Sequence, residues 1–347
     1  AHPWPVEVQA ARQVVGVFDA SPLGKLEVMG PDAGAFVDFV YYTTLKTLAP
    51  GRIRYGFMLS DTGVVLDDGV VARMGPARFV ISCSSSHVDS VRTHLEAWRQ
   101  DGNDPDRIFI HDTTQHWATL TITGPKARPC LQSLALPTDL SPEAFPHMRV
   151  LETQWQNTTL RIARVSFSGD LSFEISAPRS KARDVWQSLR NAGAQPIGLE
   201  AMAVMRAEKG YIMIGKDTDG ETMPHDLGFS GPRDKKTGAF IGDRSLHRDV
   251  ANDPARKQLV GLAGQDGQTM LPTGAHAVTD EATPRSLGYV TSSYHSPTLG
   301  HPIALGLIEN GRARMGEPVS IWHLGATINA KIVSPVFFDP MGDRLHA

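Results

Sequence analysis

A handful of side chains in this chain have the type and spacing to do chemistry. Asp67 and Asp68 follow Gly63-Val-Val-Leu66 and precede Gly69-Val-Val-Ala72. Neighbours on an extended strand point to opposite faces, so if the strand continues, one of the two acids faces inward. An inward carboxylate is costly unless it is hydrogen-bonded or used, for instance as a proton acceptor. The alternative is an Asp-Gly turn that leaves both acids in solvent. Glu174 lies in Leu171-Ser-Phe-Glu-Ile-Ser, where Leu171, Phe173 and Ile175 share one face and Ser172, Glu174 and Ser176 the other. It is either a solvated strand glutamate or a carboxylate placed to accept two adjacent N–H donors in a bidentate contact.

Arg206 is the third candidate. In Gly198-Leu-Glu-Ala-Met-Ala-Val-Met-Arg, the residues Leu199, Met202, Ala203 and Arg206 fall on one helical face, and Gly210 is placed to stop the helix. A charge on that stripe is paired with a structural carboxylate or aimed at an anion. Tyr211-Ile-Met-Ile is predicted to be a strand running into the polar loop Gly215-Lys-Asp-Thr-Asp-Gly220, and such loops often carry function. Tyr211 and Phe173 could stack on a flat ligand or simply fill a core.

The elements that must position these groups read as α+β. Leu26-Glu-Val-Met-Gly-Pro and Leu120-Thr-Ile-Thr-Gly-Pro repeat one another, each a short strand, a Gly-Pro turn and a helix opening, which implies two related half-domains. Pro31 and Pro125 suit a first helical turn. Strands are predicted over 55–66 and 70–73 around a Ser60–Gly63 hairpin, then 79–83, a helix through Trp98, and a loop over 101–105. Strands over 160–165 and 171–176 flank Ser168-Gly-Asp170, and a polar-surfaced helix over 180–192 follows. After about Gly242, short apolar strands alternate with Gly, Pro, Asn and Asp turns, the pattern of a separate β-barrel or sandwich.

Composition narrows the class. The chain has 347 residues, 41% hydrophobic and 20% charged, which describes a globular protein with room for two or three domains. A net charge of −3 gives no reason to expect nucleic acid, and no apolar run approaches the ~20 residues of a membrane helix. Only Cys83 and Cys130 are present, without a CxxC, which fits a reducing, cytoplasmic setting and argues against a thiolate metal site. The 13 histidines are scattered, so no metal is indicated. No Gly-x-Gly-x-x-Gly follows a strand, so no dinucleotide fold is expected within the chain. The opening Ala-His-Pro-Trp-Pro, without Met or signal peptide, is expected of a processed product or a piece of something longer.

Several stretches resemble the aminomethyltransferase family, the glycine-cleavage T-protein and its relatives. Met205-Arg-Ala-Glu-Lys-Gly-Tyr-Ile-Met-Ile-Gly-Lys-Asp resembles the family's Leu-Arg-Xaa-Glu-Xaa-Gly helix and the Gly-Xaa-Asp beyond it. Tyr55-Gly-Phe-Met-Leu-Ser-Asp-Thr-Gly-Val-Val-Leu-Asp-Asp-Gly69 resembles the family's Met-Leu-Xaa-Xaa-Xaa-Gly-Gly-Xaa-Xaa-Asp-Asp-Leu, with Gly69 in place of Leu. Ser166-Phe-Ser-Gly-Asp-Leu-Ser-Phe-Glu174 resembles Tyr-Thr-Gly-Glu-Xaa-Gly-(Phe/Trp)-Glu, with Phe167 for Tyr and Ser172 for Gly. Thr291-Ser-Ser-Tyr-His-Ser-Pro resembles a C-terminal Thr-Ser-Gly-Xaa-Xaa-Ser-Pro. These motifs occur in family order over nearly the whole chain. The Arg-Ala-Glu-Lys-Gly variant is most similar to the C-terminal half of the heterotetrameric sarcosine oxidase alpha subunit.

The resemblance implies an α+β, three-domain architecture around a central folate cavity. Its domains would be 1–50 with 140–245, an inserted 51–139, and a C-terminal β-barrel over 246–347. It implies tetrahydrofolate-dependent one-carbon transfer: a methyl-derived carbon of an N-methyl amine is captured as 5,10-methylenetetrahydrofolate. Flavin and NAD would sit only on a partner flavoprotein oxidase domain or subunits. In those terms Asp68 is the catalytic carboxylate and Asp67 its outward neighbour. Glu174 reads the pterin's N–H and exocyclic NH₂, Phe173 and Tyr211 are candidates to stack on the pterin or the aminobenzoyl ring, and Arg206 serves the glutamyl tail or holds Glu200 or Glu208. The alternatives are a free-standing demethylase of a methoxy-aromatic or sulfonium compound, and a non-catalytic folate-binding module.

Overall fold

The computed structural model describes residues 3–102 and 104–347. Asn103, in the middle of the expected 101–105 loop, lies outside the described residues, as do Ala1 and His2 of the expected N-terminal opening. The helices that matter here are α1 (Trp4–Gln13), α2 (Ala33–Val40), α3 (Val88–Gly102), α4 (Ala127–Gln132), α5 (Ala182–Asn191) and α6 (Leu199–Glu208). Strands β1 (Gly16–Asp19), β2 (Gly24–Met29), β3 (Arg52–Leu59), β4 (Val65–Gly75), β5 (Arg78–Cys83) and β6 (Phe109–Asp112) belong to one sheet. It also takes β7 (Trp117–Thr123), β8 (Arg149–Trp155), β9 (Thr158–Arg164), β10 (Ser172–Pro178) and β11 (Gln195–Pro196).

The strand order β11-β1-β7-β10-β9-β8-β3-β4-β5-β2-β6 is two copies of one pattern. The run β2-α2-β3-β4-β5-α3-β6 is laid out as β3-β4-β5-β2-β6. The run β7-α4-β8-β9-β10-α5 is laid out as β8-β9-β10-β7, with β1 taking the place that β6 has in the other half. The segments read as a repeat open the two halves. Gly30 and Gly124 have φ of +123° and +126°, and a Cβ there would lie 2.1 Å from the Arg107 carbonyl oxygen and 2.2 Å from that of Ala11. Only glycine meets both demands. The prolines differ from expectation. The Ala33 and Ala127 amides donate to the Gly30 and Gly124 carbonyls, so Pro31 and Pro125 occupy the second position of a turn ahead of the helix, where a fixed φ is equally suited.

Helices cover the outer faces. Phe36, Val37, Val91 and Leu95 pack on Leu26, Val28 and Ile81 in one half. Leu131, Val185 and Leu189 pack on Ile122, Phe173 and Ile175 in the other. The inner faces turn toward each other, with Ile53, Ala72 and Val80 of one half meeting Val150 and Val165 of the other. A charged bridge crosses the same interior: Arg161 Nη2 donates to Glu27 Oε1 at 2.8 Å, and Arg78 Nη1 to Glu152 Oε2 at 3.1 Å.

The C-terminal region is a closed barrel of β12 (Lys257–Gly264), β13 (His276–Val278), β14 (Ser286–Ser296), β15 (His301–Glu309), β16 (Pro318–His323) and β17 (Ala326–Val333). Five of these were legible as apolar runs, whereas β13 is too short to show a period. Helix α6 joins barrel to sheet and is buried nearly all round, packed among Val8, Tyr294, Leu305 and Leu307. Arg12 adds a second tie, with Nη2 donating to Glu208 Oε2 at 2.5 Å and Nη1 to Asp170, while Ser296 donates to Glu208 Oε1 at 2.6 Å. Gly210 ends α6 at φ +75°, as expected. The strand predicted at 211–214 is absent. That segment pairs with no strand, and the Met213 amide instead donates to Asp217 at 3.0 Å.

Candidate functional site

Asp67 and Asp68 are not in a turn. They lie within β4, opposite Met58 and Phe57 of β3, just past a bulge at Leu66. Alternation places Asp68 on the inner face with Val70 and Ala72, and Asp67 on the outer face beneath α3. Both faces are covered, so the expected outward Asp67 is in fact the deeper of the two, at 1% exposure. Its carboxylate accepts from the Ser84 amide at 3.0 Å and contacts His87 Nδ1 at 3.1 Å, which anchors the start of α3. Asp67 is therefore a structural acid. Gly69, which departs from the resembled motif, has a local cause: a Cβ there would lie 1.9 Å from the Ser82 carbonyl oxygen of β5.

Asp68 is half-buried and accepts a 2.6 Å hydrogen bond from the Tyr55 hydroxyl. Burial lifts its carboxyl to about 7; the Tyr55 bond works against that lift and the neighbouring Asp67 adds to it. The Tyr55 phenol, in turn, is held well above its usual range by burial and by Asp68. A carboxyl near neutrality in a sheltered spot is suited to taking and returning a proton. Aromatic rings wall this end: Tyr55 and Phe57 stand edge-on at 5.4 Å, and Phe229 lies 5.0 Å from Phe57. Tyr42 pins that wall by donating to the Phe229 carbonyl at 2.7 Å.

Glu174 lies on β10 opposite Thr121 of β7 and Ala163 of β9. Ala163 packs with the inner-face cluster, so the Glu174 carboxylate points into the interior that Asp68 enters from the other half. It is half-buried, and no hydrogen bond reaches it from the described residues. Burial raises it to about 7, and the Lys25 ammonium offsets part of that rise. A half-buried acceptor left open by its own protein suits a ligand with paired donors.

Two expected ligand contacts are corrected. Phe173 is 0% exposed on the outer face, with its ring parallel to Phe145 at 6.1 Å and beneath Arg128. It is a core residue, as its alternation with Glu174 requires. Arg206 is also 0% exposed, and it is an ion-pair residue rather than an anion receptor. Its Nη1 meets Asp217 and donates to the Tyr211 carbonyl at 2.9 Å, and Nη2 donates to Ser292 Oγ at 2.8 Å. Its partner is thus Asp217, neither Glu200 nor Glu208. Thr291 and Ser292 donate to the other Asp217 oxygen at 2.5 and 2.7 Å, which gives the Thr-Ser-Ser stretch a structural purpose. Tyr211 stays half-buried, near enough to Tyr55 to act on it electrostatically, and remains available to a ring.

Sequence reasoning did not single out Tyr55 and Lys25. Hairpin counting across the Ser60–Gly63 turn pairs Tyr55 with Asp68 and could have found it; the bulge at Leu66 then shifts the pairing, so that Phe57 faces Asp68 and Tyr55 faces Val70. Among the described residues no cluster of His, Cys, Asp and Glu could hold a metal ion, and no helix is long and apolar enough to cross a membrane.

Comparison with known proteins gives consistent matches. Residues 2–232 match the GCVT N-terminal domain, and residues 257–339 match the glycine cleavage T-protein C-terminal barrel domain. The chain is 36% identical to the sarcosine oxidase subunit alpha of Rhizobium meliloti, over 98% of this chain and 35% of that protein. It is 37% identical to the same subunit of a Corynebacterium, over 97% and 36%. The chain thus spans about a third of the length of these relatives. An aminomethyltransferase of Cutibacterium acnes is 28% identical over 96% of this chain and 89% of its own. The crystal structure of the glycine cleavage system aminomethyltransferase T from Bartonella henselae superposes with a TM-score of 0.85 at 25% identity, covering 96% of this chain and 89% of that one.

Proposed function

The chain belongs to the glycine-cleavage T-protein family of folate-dependent aminomethyltransferases, and from that premise we propose that it captures the methyl-derived carbon of an N-methyl amine such as sarcosine as 5,10-methylenetetrahydrofolate. In this reading it is the aminomethyltransferase part of a sarcosine oxidase-type assembly. The higher identity to the alpha subunits, 36–37% against 26–29% for aminomethyltransferases, supports that branch. Flavin and NAD would be held by flavoprotein partner regions, and the setting would be cytoplasmic. The domains that go with this reading are a folate domain of 1–50 with 140–245, an inserted 51–139 and the barrel from 246. Residues 24–48 share the hydrophobic core of the inserted part.

The observation that carries the reading is the pair of inner-face carboxylates. Asp68 is held by Tyr55, and Glu174 is left open. Tetrahydrofolate, when bound, supplies the two nitrogens that take up the carbon. Glu174 holds the pterin edge and fixes its orientation. With two electrons of the N-methyl amine taken up by the partner's flavin, its carbon would arrive as an iminium or formaldehyde. Asp68 would accept the proton released as a folate nitrogen adds to that carbon, the amine or water leaving as the second nitrogen closes the bridge. Tyr55 steadies the carboxylate through Oδ2. The facing half-sheets and the aromatic wall shelter the reacting atoms from water. Holding the acceptor beside a tethered carbon source raises its effective concentration, the main rate advantage of such a module.

Glu174→Gln keeps the shape but turns one acceptor into a donor facing the pterin NH₂. Tetrahydrofolate binding is expected to weaken by about 1.5–3 kcal/mol, the range for a hydrogen bond to a charged group. Calorimetry gives the answer, and unchanged affinity would remove Glu174 from the site. The same titration has a pH signature. Glu174 must be ionised to accept both donors and titrates at about 7, so affinity should be full above that pH and fall away as pH drops through it.

A further inference from the structure

The Lys25 ammonium is an unusual group to find inside this sheet. Lys25 is 5% exposed, on the inner face of β2 opposite Ser82. Its Nζ donates to the Ser21 carbonyl at 2.9 Å and to the Leu23 carbonyl at 2.7 Å. An ammonium has three donors, so one N–H is unspent among the described residues. Burial pulls its pKa down, and Glu174 is the foremost group holding it up. Yet no ion pair links the two, and the Glu174 carboxylate has no hydrogen bond among the described residues.

Register explains the gap. Glu174 sits in the inner-face row with Thr121, and Ser176 and Thr119 form the next row, joined by a 2.8 Å hydroxyl contact. Ser21 adjoins that second row, its Oγ accepting from the Thr119 amide at 3.1 Å, and Lys25 Nζ rests on the Ser21 carbonyl. Among the described residues no ion pair joins the two groups, yet they are near enough for each charge to act on the other. A gap without direct contact but within electrostatic reach is suited to a ring edge between them.

We propose that Lys25 is a specificity residue of the folate site, its free N–H donating to the 4-oxo oxygen of the pterin while Glu174 accepts from N3–H and the 2-amino group. The inference rests on the folate reading above. A 2-amino-4-oxo ring presents donor, donor, acceptor along one edge, and Glu174 with Lys25 presents acceptor, acceptor, donor. A 2,4-diamino ring places an NH₂ against the ammonium, donor against donor, and loses the N3 proton beside Glu174. Arg161 and Arg78, the cations of the charged bridge across this interior, are already engaged by Glu27 and Glu152. Lys25 is thus the cation left to read that oxygen.

The test is a ratio of affinities. Tetrahydrofolate and its 4-amino-4-deoxy analogue are titrated into the wild-type chain, Lys25→Met and Lys25→Gln, with folding checked by thermal melting. Wild type is expected to prefer the 4-oxo compound by more than about 100-fold, as sites built around a hydrogen bond do. In Lys25→Met the preference should shrink by at least about tenfold, because the donor is gone while the Glu174 contribution remains in both titrations. Lys25→Gln, which keeps a neutral donor, serves if the methionine variant does not fold, and should shrink the preference less. A ratio equal to wild type in a folded variant overturns the role of Lys25 and leaves the folate reading standing. Wild-type protein that binds neither compound overturns the folate reading itself.

Discussion

Asp68→Asn is expected to slow methylene transfer by roughly 10²–10⁴-fold, the usual worth of a positioned proton acceptor. The amide is isosteric and can still accept from Tyr55, so tetrahydrofolate binding should be nearly unchanged. The same substitution should stabilise the fold at neutral and alkaline pH. Asp68 sits at about 7 when folded against an ordinary 3.8. Between those values the folded chain holds a proton that the unfolded chain has lost. Stability therefore falls as pH rises through the window, and the penalty is fully present above 7. Asn carries no such penalty, so the variant should melt higher than wild type at about pH 8 and lose that advantage below the unfolded value. Asp67→Asn should do the reverse. It weakens charged bonds to Ser84 and His87, should cost about 1–3 kcal/mol of stability, and should leave transfer nearly intact. Single-turnover formation of methylenetetrahydrofolate in the complete assembly, with melting curves for both variants, separates the roles. A slow Asp67→Asn with a normal Asp68→Asn would move the chemistry to the outer face.

Arg206→Leu is expected to lose about 3–5 kcal/mol, the cost of leaving a buried partner charge unpaired. Asp217 is fully buried and would keep only Thr291, Ser292 and the Met213 amide. The pair also ties α6 to β14 and to the loop after Gly210, so its loss should loosen the junction between sheet and barrel. Urea denaturation measures the loss. A variant as stable as wild type but deficient in folate binding would return Arg206 to the ligand site.

Much of the fold was legible because its signals are local. Alternation in Leu171–Ser176 put Glu174 and Phe173 on opposite faces, and the duplicated Gly-Pro turns marked the two halves. What remained hidden depends on contacts distant in sequence. Arg206 could be read as facing an apolar stripe, but Asp217 and Ser292, its partners, come from a loop and a barrel strand. Asp67 looked like a solvent-facing neighbour because the sequence does not show that α3 returns over β4. Phe173 carried a ring at the right place in the chain and on the wrong side of the sheet. Lys25 gave no signal, since a lysine on a strand reads as solvated until the opposing half-sheet covers it.

If the interior between the two half-sheets is a folate site, the ligand must touch both inner-face carboxylates. The most direct measurement is a crystal structure of the chain grown with tetrahydrofolate. In that crystal the pterin's N3–H and 2-amino group should lie on the Glu174 carboxylate, with a carbon-accepting nitrogen within about 3 Å of Asp68, the reach of a proton acceptor. Folate bound elsewhere, with both carboxylates left as they are in the free chain, would contradict that placement.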